Sequence, residues 1–355
     1  MAAKLEKLPR RYWQTALWRC VFLLLVLQTE GCYYMQAIRG HGDLMSRRRP
    51  IAEVINDSAS SQELRMRLKS VNEARDFAVS ELLLPNNRSY RSYSDLERDY
   101  VVWNVFAAPE FELEPKTWCY PVMGCAAYRG YFNADTAKKF SDRLIVDGYD
   151  TVVGGVSAYS TLGRFSDPIL NTMMRWSDLE LVSTMFHELA HQKLYIKGDS
   201  AFNESFATAV AEFGMQRWLS HKGESERLIA RDDQSAVQQK MMVLVKSARK
   251  ELTTLYAQDT KIELKRARKA EILNSLSIDA AQLISESETT LRNWLAAPLN
   301  NARLVSINLY EGRSNAFRAI MTSCDMDFSC FYARANEIAE LRGEARAAAL
   351  SALSD

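Results

Sequence analysis

The sequence predicts an α+β fold in which helix predominates, with a small sheet and one long helical hairpin. Three observations point there. Runs of helical periodicity free of Gly and Pro cover residues 178–195, residues 203–213 and the whole interval between Gly223 and Pro298. Short segments rich in aromatic and β-branched residues recur at 100–107, 117–120, 126–132 and 150–159. Composition is globular, 47% hydrophobic and 25% charged over 355 residues, and a formal net charge of +1 gives no basis for nucleic acid as a partner.

Residues 1–31 have the grammar of an export signal. Lys4, Lys7, Arg10, Arg11 and Arg19 form a basic region, residues 20–27 an apolar core, and Gly31-Cys32 follows. No segment has the roughly 20 unbroken apolar residues of a transmembrane helix. Gly-Cys after such a core looks like a bacterial lipoprotein signal, with Cys32 the lipidated first residue and the route to membrane attachment. Thr29 and Glu30 depart from that pattern, which favours an aliphatic and a small residue there. The expectation is a signal peptide over 1–31 and a single unit over 32–355, exported to a periplasm or anchored facing it. An uncleaved amphipathic helix in a cytosolic protein is the competing reading. Beyond Cys20 and Cys32, the cysteines fall as Cys119 with Cys125 and Cys324 with Cys330, each pair enclosing five residues. An even count behind a secretory signal fits two local disulfides. A four-thiolate zinc site has ligands two to four residues apart, which disfavours it here; cross-pairing stays open.

After Cys32 the chain reads as helical to about Leu84, where Pro85-Asn86-Asn87 breaks it. Short strands follow around the first cysteine pair, then a helix over 134–144. The strand over 150–159 contains Gly154-Gly155. These glycines admit two readings: room for a substrate backbone along the sheet edge, or a corner in a buried strand.

The chemistry concentrates in the next stretch. Two of the four histidines stand in His187-Glu188-Leu189-Ala190-His191. Residues four apart share a helix face, so both imidazoles can address one zinc ion at about 2.0–2.1 Å. Glu188, one position round, can reach a water without ligating the metal. Ser177-x-x-Glu180 has capping-box spacing, and Leu179, Val182, Phe186, Leu189 and Leu194 form an apolar stripe. A catalytic zinc needs a third protein ligand and an open position. Glu204, in the first turn of the following helix, is the favoured donor, with Asp199 in the connecting loop as its competitor. Leu194 and Lys197 stand where a metzincin would need Gly and His. Glu212, two turns beyond Glu204, is a candidate for orienting a ligand histidine from behind.

Between Gly223 and Pro298, Val237, Met241, Leu244, Ala248, Leu252 and Leu255 mark a long amphipathic helix, with a second returning from Lys261 towards Trp294. Mixed charges suggest a solvated face, and the pair is expected over about 224–297, covering the lobe that carries the histidines. Whether it also binds a partner stays open. Residues 304–310 read equally as helix or strand. An Ala-rich helical tail follows the second cysteine pair.

The run from His187 to Gln192 followed by Asn203-Glu204-Ser205-Phe206-Ala207 resembles the gluzincin metallopeptidases. Only twelve residues separate His191 from Glu204, fewer than in the aminopeptidase branch. The chain is more similar to the predicted bacterial aminopeptidases, often lipoproteins. The likeness lies in Tyr34-x-Gln36-Ala37, in Cys119 to Cys125 with Tyr128 to Phe132, in Ala158 to Gly163, in Asn300-Asn301-Ala302 and in Tyr310. The resemblance implies a zincin-like core and a zinc-dependent hydrolase of peptides, with Glu188 as general base and Tyr310 as an oxyanion donor. An endopeptidase or oligopeptidase is the alternative within that class. A non-catalytic envelope lipoprotein keeping the zinc helix as a structural element is the alternative outside it.

Overall fold

The structure is a computed structural model that describes residues 31, 33–120, 124–283, 292, 294–307 and 314–353. Residues 1–30 of the expected export signal and Cys32 therefore lie outside the described residues, as does Tyr310. The chain divides into a short unit ending at Arg47 and a large one from Arg48 to Asp355. In the first, residues 33–46 form helix α1, with Arg47 pairing to Asp43. No described helix is long and apolar enough to cross a membrane.

The large unit opens with strand β1 (Arg48–Pro50) and helices α2 (Ile51–Asn56) and α3 (Gln62–Ser80). The helical reading of this region thus missed β1, which pairs antiparallel with β2 (Ser92–Ser94); β2 in turn lies parallel to β8 (Ile169–Leu170). Strands of two or three residues carry no readable period. The second sheet comprises β3 (Val102–Pro109), β6 (Arg129–Tyr131) and β7 (Tyr149–Val156), in the order β6-β3-β7. Helix α4 (Ala134–Val146), capped by Asn133, connects β6 to β7.

β4 (Trp118–Tyr120) and β5 (Gly124–Ala126) make a hairpin in which Cys119 lies opposite Cys125 and bonds to it. The second disulfide, Cys324–Cys330, joins the end of helix α10 (Ser314–Ser323) to the start of α11 (Phe328–Glu340). Both local pairings expected from spacing are present.

Two helices from the centre of the unit carry the histidines and Glu204: α5 (Asp178–Lys193) and α6 (Ser200–Lys222). α6 runs straight through Gly214. A Cβ there would lie 2.8 Å from Leu82 and 3.1 Å from Phe186 of α5, so glycine permits the close approach of the two helices. Behind them Phe202, Phe206, Phe317, Phe331 and Tyr332 form a continuous aromatic core with α10 and α11. A final helix, α12 (Gly343–Ala352), closes the chain.

The long hairpin is α7 (Arg227–Tyr256) with α8 (Ile262–Leu283). Its apolar seam, including Val245, Leu252, Leu273 and Leu276, packs on Leu299 and Leu304. Leu304 belongs to α9 (Asn301–Ser306), which makes this part of the ambiguous segment a helix, capped by the Asn300 side chain. Lys269 of α8 donates to Asp150 at 2.6 Å, so the described hairpin is tied to the start of β7.

Candidate active site

Local sequence sets the position of each helix end. The Ser177 hydroxyl accepts from the Glu180 N–H at 3.1 Å, and the Glu180 carboxylate accepts from the Ser177 N–H, the reciprocal pair of a capping box. α5 stops at Leu194, whose N–H returns to the Ala190 carbonyl. The chain turns at Gly198, φ 85°, into the Asp199 cap of α6, where the carboxylate accepts from Phe202 N–H at 3.0 Å. Asp199, read from sequence as a rival ligand, is thus used in capping and pairs with Arg346 at 3.5 Å. α6 begins at Ser200, so Glu204 sits in its second turn rather than its first.

Asn203 fixes the joint. Its amide oxygen accepts from Ile196 N–H and its NH₂ donates to Ile196 carbonyl, both at 2.8 Å, with the side chain 1% exposed. The residue next to Glu204 therefore clamps the loop that leaves α5. Sequence reasoning took Asn203 only as part of a motif.

Three donor atoms converge at the meeting of these helices. The two Nε2 atoms of His187 and His191 are 3.1 Å apart. Glu204 Oε2 lies 3.3 Å from His187 Nε2, and Oε1 lies 3.5 Å from His191 Nε2. The rings stand nearly perpendicular, at 87°. Among the described residues this is the cluster of three or more His, Cys, Asp or Glu groups able to hold a metal. Bonds of 2.0–2.1 Å in a tetrahedron put neighbouring donors roughly 3.3 Å apart, so the trio fits a zinc ion without rearrangement. His191 is 6% exposed whereas His187 and Glu204 are half-buried, so the cluster opens to one side.

Electrostatics keep the donors available. Burial, aided by His187, pushes His191 down to about 4, leaving it neutral at pH 7. Burial raises the Glu204 carboxyl, but its bond to His187 and the charge of the two rings outweigh that and hold it below the usual range. Glu188 is raised, first by burial and further by Glu204 and Asp167, against the opposing pull of His187 and Ser160.

The surroundings of Glu188 are the part the sequence did not reveal. Tyr90 and Ser160 face it from two loops. Tyr90 is 2% exposed and sits at φ 62°, a left-handed conformation costing a non-glycine residue roughly 1–2 kcal/mol. Its hydroxyl makes no bond of regular geometry among the described residues. Burial, with the charges of Glu188 and Asp167, keeps the phenol well above its ordinary pKa, so it remains a neutral donor. No periodic or motif signal marks Tyr90, and Ser160 entered the sequence reading only inside the Ala158 to Gly163 likeness.

Glu212 accepts from Arg318 of α10 at 2.9 Å, and the buried Nδ1 of His191 has no hydrogen-bond partner among the described residues. The structure does not bring those two groups together.

β7 is an edge of its sheet. Val156 carbonyl accepts from Val101 and Thr151 carbonyl from Asn300, so odd-numbered residues turn their backbone groups outward along this edge. Past Thr151 no described strand pairs with it. Of the two glycines, Gly155 lies under the Tyr100 ring, whose atoms would be 2.4–2.6 Å from a Cβ, whereas a Cβ on Gly154 would meet nothing within 4 Å.

Residues 32–350 match a protein family described as "Putative aminopeptidase". No curated protein and no solved structure matches the chain.

Proposed function

We propose, from the premise that the chain belongs to this aminopeptidase family over residues 32–350, that it is a zinc-dependent aminopeptidase. The observation that carries the metal is the donor triangle, with edges of 3.1, 3.3 and 3.5 Å, set by two nitrogens and a carboxylate. His187, His191 and Glu204 would hold the ion. A bound zinc supplies Lewis acidity towards the scissile carbonyl and makes water acidic enough to attack near neutral pH.

The chain's own groups do the rest. Glu188, adjacent to the ligands yet not one of them, takes the attacking water's proton on a carboxylate oxygen and delivers it to the leaving amine. Its raised pKa suits the first half of that task, since a stronger carboxylate base accepts the proton more readily. The outer edge of β7 offers backbone groups for an extended peptide, and open space at Gly154 leaves room beside it. Tyr310 is assigned as a donor to the oxyanion and Glu212 as an outer partner that orients a ligand histidine. Export through the first 31 residues, with Cys32 as a lipid-attachment point, would put the enzyme in a bacterial periplasm or anchor it to a membrane facing that space. Two disulfides, Cys119–Cys125 and Cys324–Cys330, support an oxidising destination.

The test is metal analysis of the purified protein beside cleavage of paired peptides with free and acetylated N-termini. One zinc per chain, lost in His191→Ala, and cleavage confined to free amines is the expected result. Equal cleavage of acetylated peptides makes the protein an endopeptidase, and zinc without cleavage of either makes it a scaffold.

A further inference from the structure

Two loops, residues 81–91 between α3 and β2 and residues 157–168 between β7 and β8, meet on one side chain of α5, that of Gln192. Each loop is built around a buried charge. In the first, Arg75 of α3, 0% exposed, donates to the carbonyls of Pro85 at 2.7 Å, Ser89 at 3.0 Å and Asn87 at 3.2 Å. In the second, the Asp167 carboxylate, 1% exposed, accepts from Thr161 N–H at 2.9 Å and Thr161 hydroxyl at 2.8 Å. Tyr90 N–H donates to the Asp167 carbonyl at 2.6 Å and ties one loop to the other. Tyr90 and Leu162, one on each loop, hold φ of 62° and 55°. Such conformations persist in non-glycine residues only where the surroundings over-determine them.

Counting donors and acceptors fixes the direction of Gln192. Asn87 Oδ1 accepts from Ser89 N–H at 3.0 Å and from Arg75 Nη2 at 3.3 Å, so its NH₂ is the group turned towards α5. That NH₂ donates to Gln192 Oε1 at 2.8 Å, which leaves Gln192 Nε2 to donate to the Ser89 hydroxyl at 3.4 Å. A buried guanidinium thus orients two amides in series. From the second loop Gly163, φ 75°, comes so near that a Cβ there would lie 3.0 Å from the Gln192 amide carbon. Gln192 follows His191 directly and stands four residues after Glu188, on the same face of the helix.

We propose that Gln192 is a positioning residue: it pins both loops to the α5 turn that bears Glu188 and His191, so that this turn is held in a rigid frame. Misplacement of a reacting group by an ångström costs on the order of a hundredfold in rate, and a partial loosening costs less. The proposal rests on the peptidase reading for its catalytic consequence, but not for the latch itself.

Gln192→Met keeps side-chain length and helix propensity while removing both amide hydrogen bonds. In the full chain, hydrogen exchange should quicken by about tenfold in residues 81–91 and in residues 157–168 together, with α6 unchanged. In the zinc-loaded protein kcat should fall roughly tenfold with KM within about threefold. Asn87→Ala cuts the same link from the loop side. The double variant should therefore be no slower than the slower single one, whereas independent effects would multiply. Unchanged kcat in Gln192→Met, or losses that multiply in the double variant, overturns the proposal. Should the wild-type protein bind zinc and cleave nothing, the peptidase reading falls alone and hydrogen exchange decides. Quickening of both loops in Gln192→Met then upholds the latch, and quickening of one or neither overturns it.

Discussion

Two polar clusters of the large unit, one around Asp150 of β7 and one between α5 and α6, are built on opposite principles. At the Asp150 end every group finds its complement. Lys269 donates to Asp150 at 2.6 Å and to the Glu110 carbonyl at 2.8 Å. The Asn301 amide donates to the carbonyls of Pro109, Glu110 and Glu112, each at 3.0 Å, and accepts from the Tyr256 hydroxyl at 2.8 Å. Between α5 and α6, potential ligand atoms crowd together: two imidazole nitrogens and a carboxylate face one another, His191 Nδ1 is unpartnered among the described residues, and so is the buried Tyr90 hydroxyl. A satisfied cluster stabilises a fold, whereas unsatisfied acceptors aimed at one point call for something to be bound.

The sharpest test exchanges the two expectations. Glu188→Gln should reduce kcat by about 10²–10⁴-fold while zinc content and melting temperature stay at wild-type values. Lys269→Met should do the reverse. Removing one partner of a buried ion pair costs roughly 3–5 kcal/mol, because Asp150 keeps its charge with only the Asn301 N–H at 2.9 Å for support. Denaturant titration should show that loss, with kcat per folded molecule unchanged. A Lys269→Met protein that is fully stable but inactive would break the comparison.

Acid should separate the clusters next. In the zinc-free protein His191 titrates at about 4, pushed down by burial, whereas an unfolded histidine titrates near 6.5. Between those values the unfolded chain binds the extra proton, so stability present above pH 6.5 is lost as pH falls towards 4. The effect amounts to about 3 kcal/mol at most. Urea unfolding of the apo-protein at pH 7 and pH 4.5 measures it, and His191→Gln should flatten the dependence. A slope that survives that substitution locates the acid sensitivity elsewhere.

How much of this was legible follows from how each feature is encoded. The α5 cap, the shared face of His187 and His191 and the local disulfides are short-range, so spacing reveals them. The choice of Glu204 over Asp199 came from chemistry, a fixed helical donor against a loop one; Asp199, an aspartate just after Gly198 and just before a helix, also has the residue type of a helix cap, a role the sequence reading did not give it. The reason for Gly214 is tertiary, the contact with Phe186 and Leu82, so spacing along the chain does not carry it. Tyr90 and Asp167 were invisible for the same reason, and Ser160 was met only inside the Ala158 to Gly163 likeness, with no role attached. They reach Glu188 from two loops, and only the folded chain brings those loops to one face of α5.

The smallest expected effect falls on the residue that belongs to both descriptions. Asn203 lies in the candidate site yet is satisfied on both sides by Ile196. If satisfaction alone marked a structural residue, Asn203→Ala would cost only stability, roughly 1–3 kcal/mol for a buried pair of hydrogen bonds left open. But the clamp joins the loop leaving α5 to the turn that holds Glu204, so loosening it also lets the carboxylate drift from the two rings. Outer contacts of this kind are worth about 10- to 100-fold in metal affinity. Asn203→Ala should therefore weaken zinc binding by roughly tenfold, the lower end of that range, as read by competition with a chromogenic chelator under conditions where the apo-variant is fully folded. Unaltered affinity alongside the stability loss would assign Asn203 to the fold alone and would leave the helix pair rigid enough to hold the donor triangle without its clamp.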